Sequence, residues 1–292
     1  MTQSPGQQHS YGVVVGVDGS DSSAHAAYWA AQEAASRGEL ITLVHALHVP
    51  TSGASLSHKE PVYVERARAE GNALLETVAE NLRAEFPGLV VNAELSDLAP
   101  ASALAALGAQ SELLVTGTRG RGGFEGMLLG SVTHGLAAHG DCPLTVVRGP
   151  VSEDGLNEVV VGFGADPVEA RSAAAYALAV AQRHGASLRA VRAWRPFEGH
   201  RGTADFSAAH EEERQEIEGL LEPLRALYPD VDTKITVAEG NPVPILIEAA
   251  RRTRLLVIGA HRRHGPFSVG AGYVIDGVLA HSPTPVAVVP AR

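Results

Sequence analysis

The sequence predicts an α/β fold: two tandem copies of a five-stranded parallel sheet with helices on both faces. Three observations carry this prediction. Short β-branched runs alternate with longer helical patterns, the order that wraps helices around a parallel sheet. The chain also repeats itself. Val13-Val14-Val15-Gly16-Val17-Asp18 returns as Val159 to Gly164, Leu43–Ala46 within Leu188–Ala193, and Phe86-Pro87 as Tyr228-Pro229. Leu113–Gly117 returns as Leu255–Gly259, and Cys142–Val147 as Thr284–Val289. Finally, 292 residues suit about two domains of ordinary size. The copies divide as 1–149 and 150–292, with the polar stretch Gly149–Asn157 as the linker.

In the first copy, Val13–Val17 reads as a strand. The Ala-rich run Ser22–Arg37 reads as a helix stopped by Gly38. Leu40–Leu47 is a second strand and Thr51–Lys59 a polar loop. Val62–Phe86 is a long amphipathic helix ended by Pro87-Gly88. Leu89–Leu95, a helix over Ala101–Gln110, and the strand Leu113–Thr116 follow. A glycine-rich loop leads to a helix from Ser131 to about Gly140, and Pro143–Val147 closes the unit. The second copy repeats this order. Its long helix lies within Asp205–Tyr228, where Pro223 predicts a bend.

Composition removes several function classes. Apolar residues make up 45% and charged residues 19%, which is globular. A net charge of −10 argues against a nucleic-acid binder. The lone Cys142 forms no intramolecular disulfide, and its place before Pro143 reads as a small buried hydrophobe. No apolar run is long enough for a membrane span, and the polar N-terminus lacks a secretory signal, so the expectation is a cytoplasmic protein with no membrane partner.

The most informative stretch is Leu113–Arg148. An apolar strand runs into a loop holding Gly117, Gly120, Gly122, Gly123 and Gly126, and Gly130-Ser131-Val132-Thr133 opens a helix. Glycines allow close backbone approach to a ligand. A helix start offers unpaired N–H groups and a positive dipole end. Ser131 and Thr133 add hydroxyls, and Arg119 and Arg121 add positive charge. Such a strand–loop–helix suits an anionic ligand such as a nucleotide polyphosphate. The plain alternative is a flexible connector.

Gly117-x2-Gly120-x9-Gly130-Ser131 resembles the ATP-binding signature of the universal stress protein family, and the flanking strand and Cys142-Pro143 resemble it too. The resemblance implies two Rossmann-like domains of the adenine nucleotide alpha hydrolase-like type. It implies a strand order that sets the first and fourth strands side by side, bringing Asp18 to Gly117. It further implies that Gly16 and Asp18 line an adenosine pocket and that the Ala46 backbone recognises adenine. Thr116, Gly117 and Gly120 would frame the ribose and first phosphates, and Gly130, Ser131, Val132 and Thr133 the outer phosphates. ATP would arrive with Mg²⁺ or Mn²⁺. Asp18 has a second reading as a turn residue ahead of a helix. The family's usual pairing through the last strand predicts that Leu144–Val147 meets Val286–Val289 within one chain, an intramolecular pseudo-dimer, with a homodimer also open.

The second copy departs from this pattern. Arg262 stands for Gly120, Tyr273 for Ser131, Ile275 for Thr133 and Gly164 for Asp18, while Gly272 keeps Gly130. This copy is therefore expected not to bind ATP in the family manner. The histidines, including His134, His139 and the His261-Arg262-Arg263-His264 segment, lack zinc spacing and read as structural or solvated. The acidic run Glu211-Glu212-Glu213 reads as a solvated helix face. No Walker, GxSxG or HExxH motif occurs. The expected function is an ATP-binding stress-response sensor or regulator acting on a protein partner that the sequence does not name. The alternatives are a slow ATPase or phosphate-transferring enzyme, and a nucleotide-independent scaffold.

Overall fold

A computed structural model describes residues 11–47, 60–120, 128–150, 157–194, 203–260 and 272–291. The expected polar loop Thr51–Lys59, Arg121, Arg262 and the His261–His264 segment lie outside them.

The first copy runs β1 (Val13–Gly16), α1 (Asp21–Arg37), β2 (Ile41–Ala46), α2 (Glu60–Glu85), β3 (Val91–Ser96), α3 (Pro100–Gly108), β4 (Leu113–Gly117), α4 (Ser131–His139) and β5 (Leu144–Val147). The second runs β6 (Glu158–Gly162), α5 (Pro167–His184), β7 (Ser187–Trp194), α6 (Thr203–Arg225), β8 (Thr233–Glu239), α7 (Pro242–Ala249), β9 (Leu255–Ala260), α8 (Tyr273–His281) and β10 (Val286–Pro290). Helix α6 continues through Pro223.

Ten strands form one sheet in the order β3-β2-β1-β4-β5-β10-β9-β6-β7-β8. Every pairing is parallel except one. At the centre β5 and β10 run antiparallel, with Val146 opposite Val286 and Leu144 opposite Val288. This is the pairing expected within one chain. Its reason is visible in the residues: LTVV and VAVVP are buried throughout and need cover on both edges, whereas the outer strands VNAELS and TKITVAE carry charges that tolerate water.

Alternation along each strand feeds two cores. Val13, Val15, Leu113, Val115, Val159 and Val161 face α1, α2, α5 and α6. Val14, Leu114 and Val160 face α3, α4, α7 and α8. Both cores continue across the β5–β10 seam. The central helices are Ala-rich because they lie close to the sheet and to each other: Ala26, Ala30 and Ala34 of α1 and Ala173, Ala174 and Ala177 of α5 are fully buried. Their ends are set locally. Ser20 caps α1 by accepting from the Ser23 N–H, and Asp166 caps α5 by accepting from Val168 and Glu169. Gly38 and Gly185 end them in the left-handed conformation.

A polar knot joins the copies on this face. Glu33 of α1 sits between Arg37 (3.4 Å), Arg183 (3.6 Å) and His184 (2.7 Å), the last two from α5. Arg37 also donates to the Tyr176 hydroxyl. Burial works against the Glu33 charge, but the His184 hydrogen bond and the nearby Arg37 and Arg183 guanidinium groups outweigh it and hold its carboxyl below the ordinary value. At the seam, Arg148 donates to the Leu279 and Ala280 carbonyls at the end of α8. Among the described residues, no helix is long and apolar enough to cross a membrane.

Candidate functional site

The strand order reverses between β1 and β4: β2 and β3 lie to one side of β1, β4 and β5 to the other. Crevices for ligands open at the carboxyl ends of strands at such points. The first copy places its glycines there. Val15 of β1 pairs with Val115 of β4, so Asp18 and Gly117 leave the sheet as neighbours.

Asp18 does two things. Its Oδ1 accepts from the Ser20 N–H (3.0 Å) and the Ser20 hydroxyl (2.6 Å), a local turn that positions the α1 cap. Its Oδ2 faces Gly120, where any Cβ would overlap that oxygen. Gly117 is confined more firmly, because a Cβ there would lie 2.7 Å from the Ser22 carbonyl oxygen, a backbone atom. Gly130 follows on: its N–H donates to the Thr118 carbonyl (2.8 Å), and a Cβ on it would stand 3.9 Å from the Gly120 nitrogen. Carboxylate, loop glycine and the start of α4 thus form one contiguous surface.

Among the described residues helix α4 begins without a side-chain cap; Gly130 is its N-cap residue, and the first turn carries no acidic residue. The N–H groups of Ser131, Val132 and Thr133 belong to the positive end of this helix. Ser131 is exposed. The Thr133 hydroxyl is arranged otherwise than the phosphate-binding expectation: it is buried and donates to the Gly117 carbonyl (2.9 Å), with Thr116 Oγ1 at 3.3 Å. It braces the loop from below, leaving only its backbone at the helix start. Arg119 is exposed beside this end. Arg148 is held below the ordinary arginine value by burial first and by the like charge of Arg119 second, so two guanidinium groups share this corner.

Two more predicted residues lie at the carboxyl ends of β1 and β2. Gly16 ends β1 against Leu104 of α3. Ala46 ends β2, paired with Ser96. His45 Nδ1 lies 2.7 Å from the Val17 carbonyl oxygen, fixing the turn after β1. Sequence reasoning missed Ser20, Ser22 and Thr118, which hold this frame; Ser22 Oγ lies 3.5 Å from Thr118 Oγ1. The Asp18-Gly19-Ser20 turn pattern was the available signal for Ser20. Cys142 is buried beside Ser111 and outside this corner. Among the described residues no group of three or more His, Cys, Asp or Glu is placed to hold a metal.

The corresponding corner of the second copy is built differently. Sheet register sets Gly162 opposite Val191 as Gly16 is set opposite Val44, so Arg192 stands where His45 does. Tyr273 opens α8 as Ser131 opens α4. One expectation is corrected in part. Glu211 and Glu212 are exposed, but Glu213 turns inward to Arg192 (2.7 Å), because α6 passes over β7. Glu169 packs against Gly259 as Ser22 packs against Gly117, and its Oε2 reaches within 4.0 Å of where a Gly164 Cβ would sit.

Comparison with known proteins agrees with this architecture. The model of a family described as the universal stress protein family matches residues 12–148 and again 156–290. A universal stress protein of Mycobacterium tuberculosis is 32% identical, covering 97% of this chain and 98% of its own length. One of Mycolicibacterium smegmatis is 30% identical over the same shares. The crystal structure of a universal stress protein from Archaeoglobus fulgidus superposes with a TM-score of 0.69 at 19% identity, covering 96% of both chains, a likeness of fold.

Proposed function

The chain belongs to the universal stress protein family, and on that premise we propose that its first copy binds ATP and that nucleotide occupancy regulates a stress-response partner protein in the cytoplasm. One observation carries the reading: Gly120 lies directly on the Asp18 carboxylate and beside Gly130, at the start of α4. A side chain on residue 120 would displace the Asp18 carboxylate from this position. A glycine there is what a backbone cradle for a phosphate chain requires, with the carboxylate left for a ribose hydroxyl.

In this reading Gly16, Asp18 and Ala46 hold the nucleoside. Thr116, Gly117 and Gly120 form the floor under the first phosphates. The Gly130, Ser131, Val132 and Thr133 backbone and the Ser131 hydroxyl take the outer ones. Arg119 and Arg148 lose mutual repulsion when an anion arrives. Mg²⁺ or Mn²⁺ would enter on the phosphates, which with water supply most ligands of such ions. Its contribution is charge neutralisation.

The test is stoichiometry. Emptied protein titrated with Mg-ATP by calorimetry is expected to take one nucleotide per chain. Gly120→Arg is expected to abolish that binding while the melting curve stays near the parent's. Undiminished affinity in this variant would remove the site from the first copy.

A further inference from the structure

The end of helix α8, in the second copy, lies against the site corner of the first. Strand β10 runs antiparallel to β5 with Val286 opposite Val146, so the turn between α8 and β10 comes to the carboxyl end of β5. This helix end is packed away from water, with Leu279 and Ser282 each 2% exposed. The Val278 carbonyl accepts from the Ser282 N–H (2.8 Å). The Leu279 and Ala280 carbonyls fall in the last turn, where a helix cannot supply their donors.

Arg148, the residue after β5, supplies them. Its Nη2 donates to the Leu279 carbonyl (3.0 Å) and the Ala280 carbonyl (2.7 Å). The same nitrogen stands 3.5 Å from the carbonyl of Leu128, which lies just ahead of Gly130, the N-cap residue of α4. One guanidinium thus joins the end of α8 to the approach to α4. The arrangement is one-sided. With Val289 matching Val147, the place of Arg148 in the second copy falls to Pro290, which has no side-chain donor. The bridge serves the copy with the intact glycine set.

The charge on this bridge calls for an anion. Burial and the like charge of Arg119 both work against the Arg148 cation. Among the described residues no carboxylate offsets them, and the Arg148 Nε is buried without a hydrogen-bond partner. The negative end of α8 holds the guanidinium in place, and its remaining N–H groups are left for a ligand.

Resting on the ATP reading of the first copy, we propose that the second copy completes and regulates that site: the last turn of α8 fixes Arg148 beside the glycine-rich loop, where it engages the phosphates. An arginine loses rotamer freedom when it is fixed. The α8 carbonyls have already taken that loss, so the phosphates meet a preorganised cation. Coupling of this kind is reciprocal: a ligand that holds Arg148 also holds the end of α8.

Hydrogen exchange of the full chain, with and without saturating Mg-ATP, tests this directly. Mg-ATP is expected to slow exchange of the Ser282 N–H at the end of α8 by at least about fivefold, the lower end of ordinary coupling. Adenosine, which lacks phosphates, is expected to leave that exchange unchanged. By calorimetry, Arg148→Gln is expected to bind Mg-ATP about tenfold more weakly, the worth of one charge-assisted hydrogen bond, to keep its affinity for adenosine, and to lose the exchange response. Arg148→Lys, which keeps the charge, should recover part of the ATP affinity. A clamp with a structural role alone would weaken both ligands alike. Mg-ATP that binds the parent without slowing exchange at the end of α8, or an Arg148→Gln variant that weakens adenosine as much as Mg-ATP, overturns the proposal and leaves the ATP reading standing. No Mg-ATP binding by the parent overturns both.

Discussion

Replacing Glu33 by alanine tests how the two copies are held together. The side chain is 5% exposed and compensates Arg37, Arg183 and His184 at once. Its removal leaves two guanidinium groups facing each other with Glu112 as the remaining carboxylate, 3.5 Å from Arg37 but 36% exposed and therefore well screened. Breaking a buried pair from one side costs about 3–5 kcal/mol, a large part of a typical folding free energy. The assay is urea unfolding of parent and Glu33→Ala across pH. Both hydrophobic cores cross the seam, so one cooperative transition is expected for both proteins. The pH dependence has a definite sign. The folded carboxyl is held below its ordinary value of 4.5, so its contribution is fully present above that value and is lost as pH falls through the folded one. The gap between parent and variant should therefore be full near neutral pH and shrink progressively in acid below 4.5. A loss under about 1 kcal/mol at neutral pH, or a gap that stays constant into acid, would refute a buried ionic lock.

Other outcomes follow from single features. Thr145 lies in β5 at the seam, fully buried, and its hydroxyl has no hydrogen-bond partner among the described residues. Thr145→Val removes a desolvated polar atom at nearly constant shape and should stabilise the chain by about 1 kcal/mol in urea unfolding. Among the described residues, Arg252 is the non-glycine residue with positive φ, at 60°. Relieving that conformation is worth about 1–2 kcal/mol against a glycine entropy cost of about 0.5–1, so Arg252→Gly should raise the urea midpoint slightly. Gly117→Ala should destabilise the loop frame, because the methyl group meets the Ser22 backbone, and should weaken ATP binding together with stability; a stable variant with normal affinity would contradict the packing described.

Much of the fold could be read directly from residues. The duplicated Val-rich runs named the buried strands and Gly38 the end of α1, whereas the strand order showed that VNAELS and TKITVAE are the sheet edges. Resemblance to the family's signature marked Gly117, Gly120 and Gly130 as a set. Roles of individual side chains were less legible. Thr133 looks the same in sequence whether its hydroxyl points to a ligand or, as here, to the Gly117 carbonyl. Glu213 belongs to an acidic run and shows its inward turn only when α6 is laid across β7.

By itself the sequence determined what repeats and local chemistry encode: an α/β duplication, an intact glycine set in one copy and a broken one in the other. Tertiary structure alone decided which distant groups meet. Asp18 and Gly120 are about a hundred residues apart, and only the β1–β4 pairing brings them into contact. Glu169 packs against Gly259 with its carboxylate near Gly164, a placement that position-by-position alignment does not reveal. Glu33 found its cations on the other copy because the antiparallel β5–β10 seam sets α1 against α5. Each depends on through-space distance, which local propensity and periodicity do not carry.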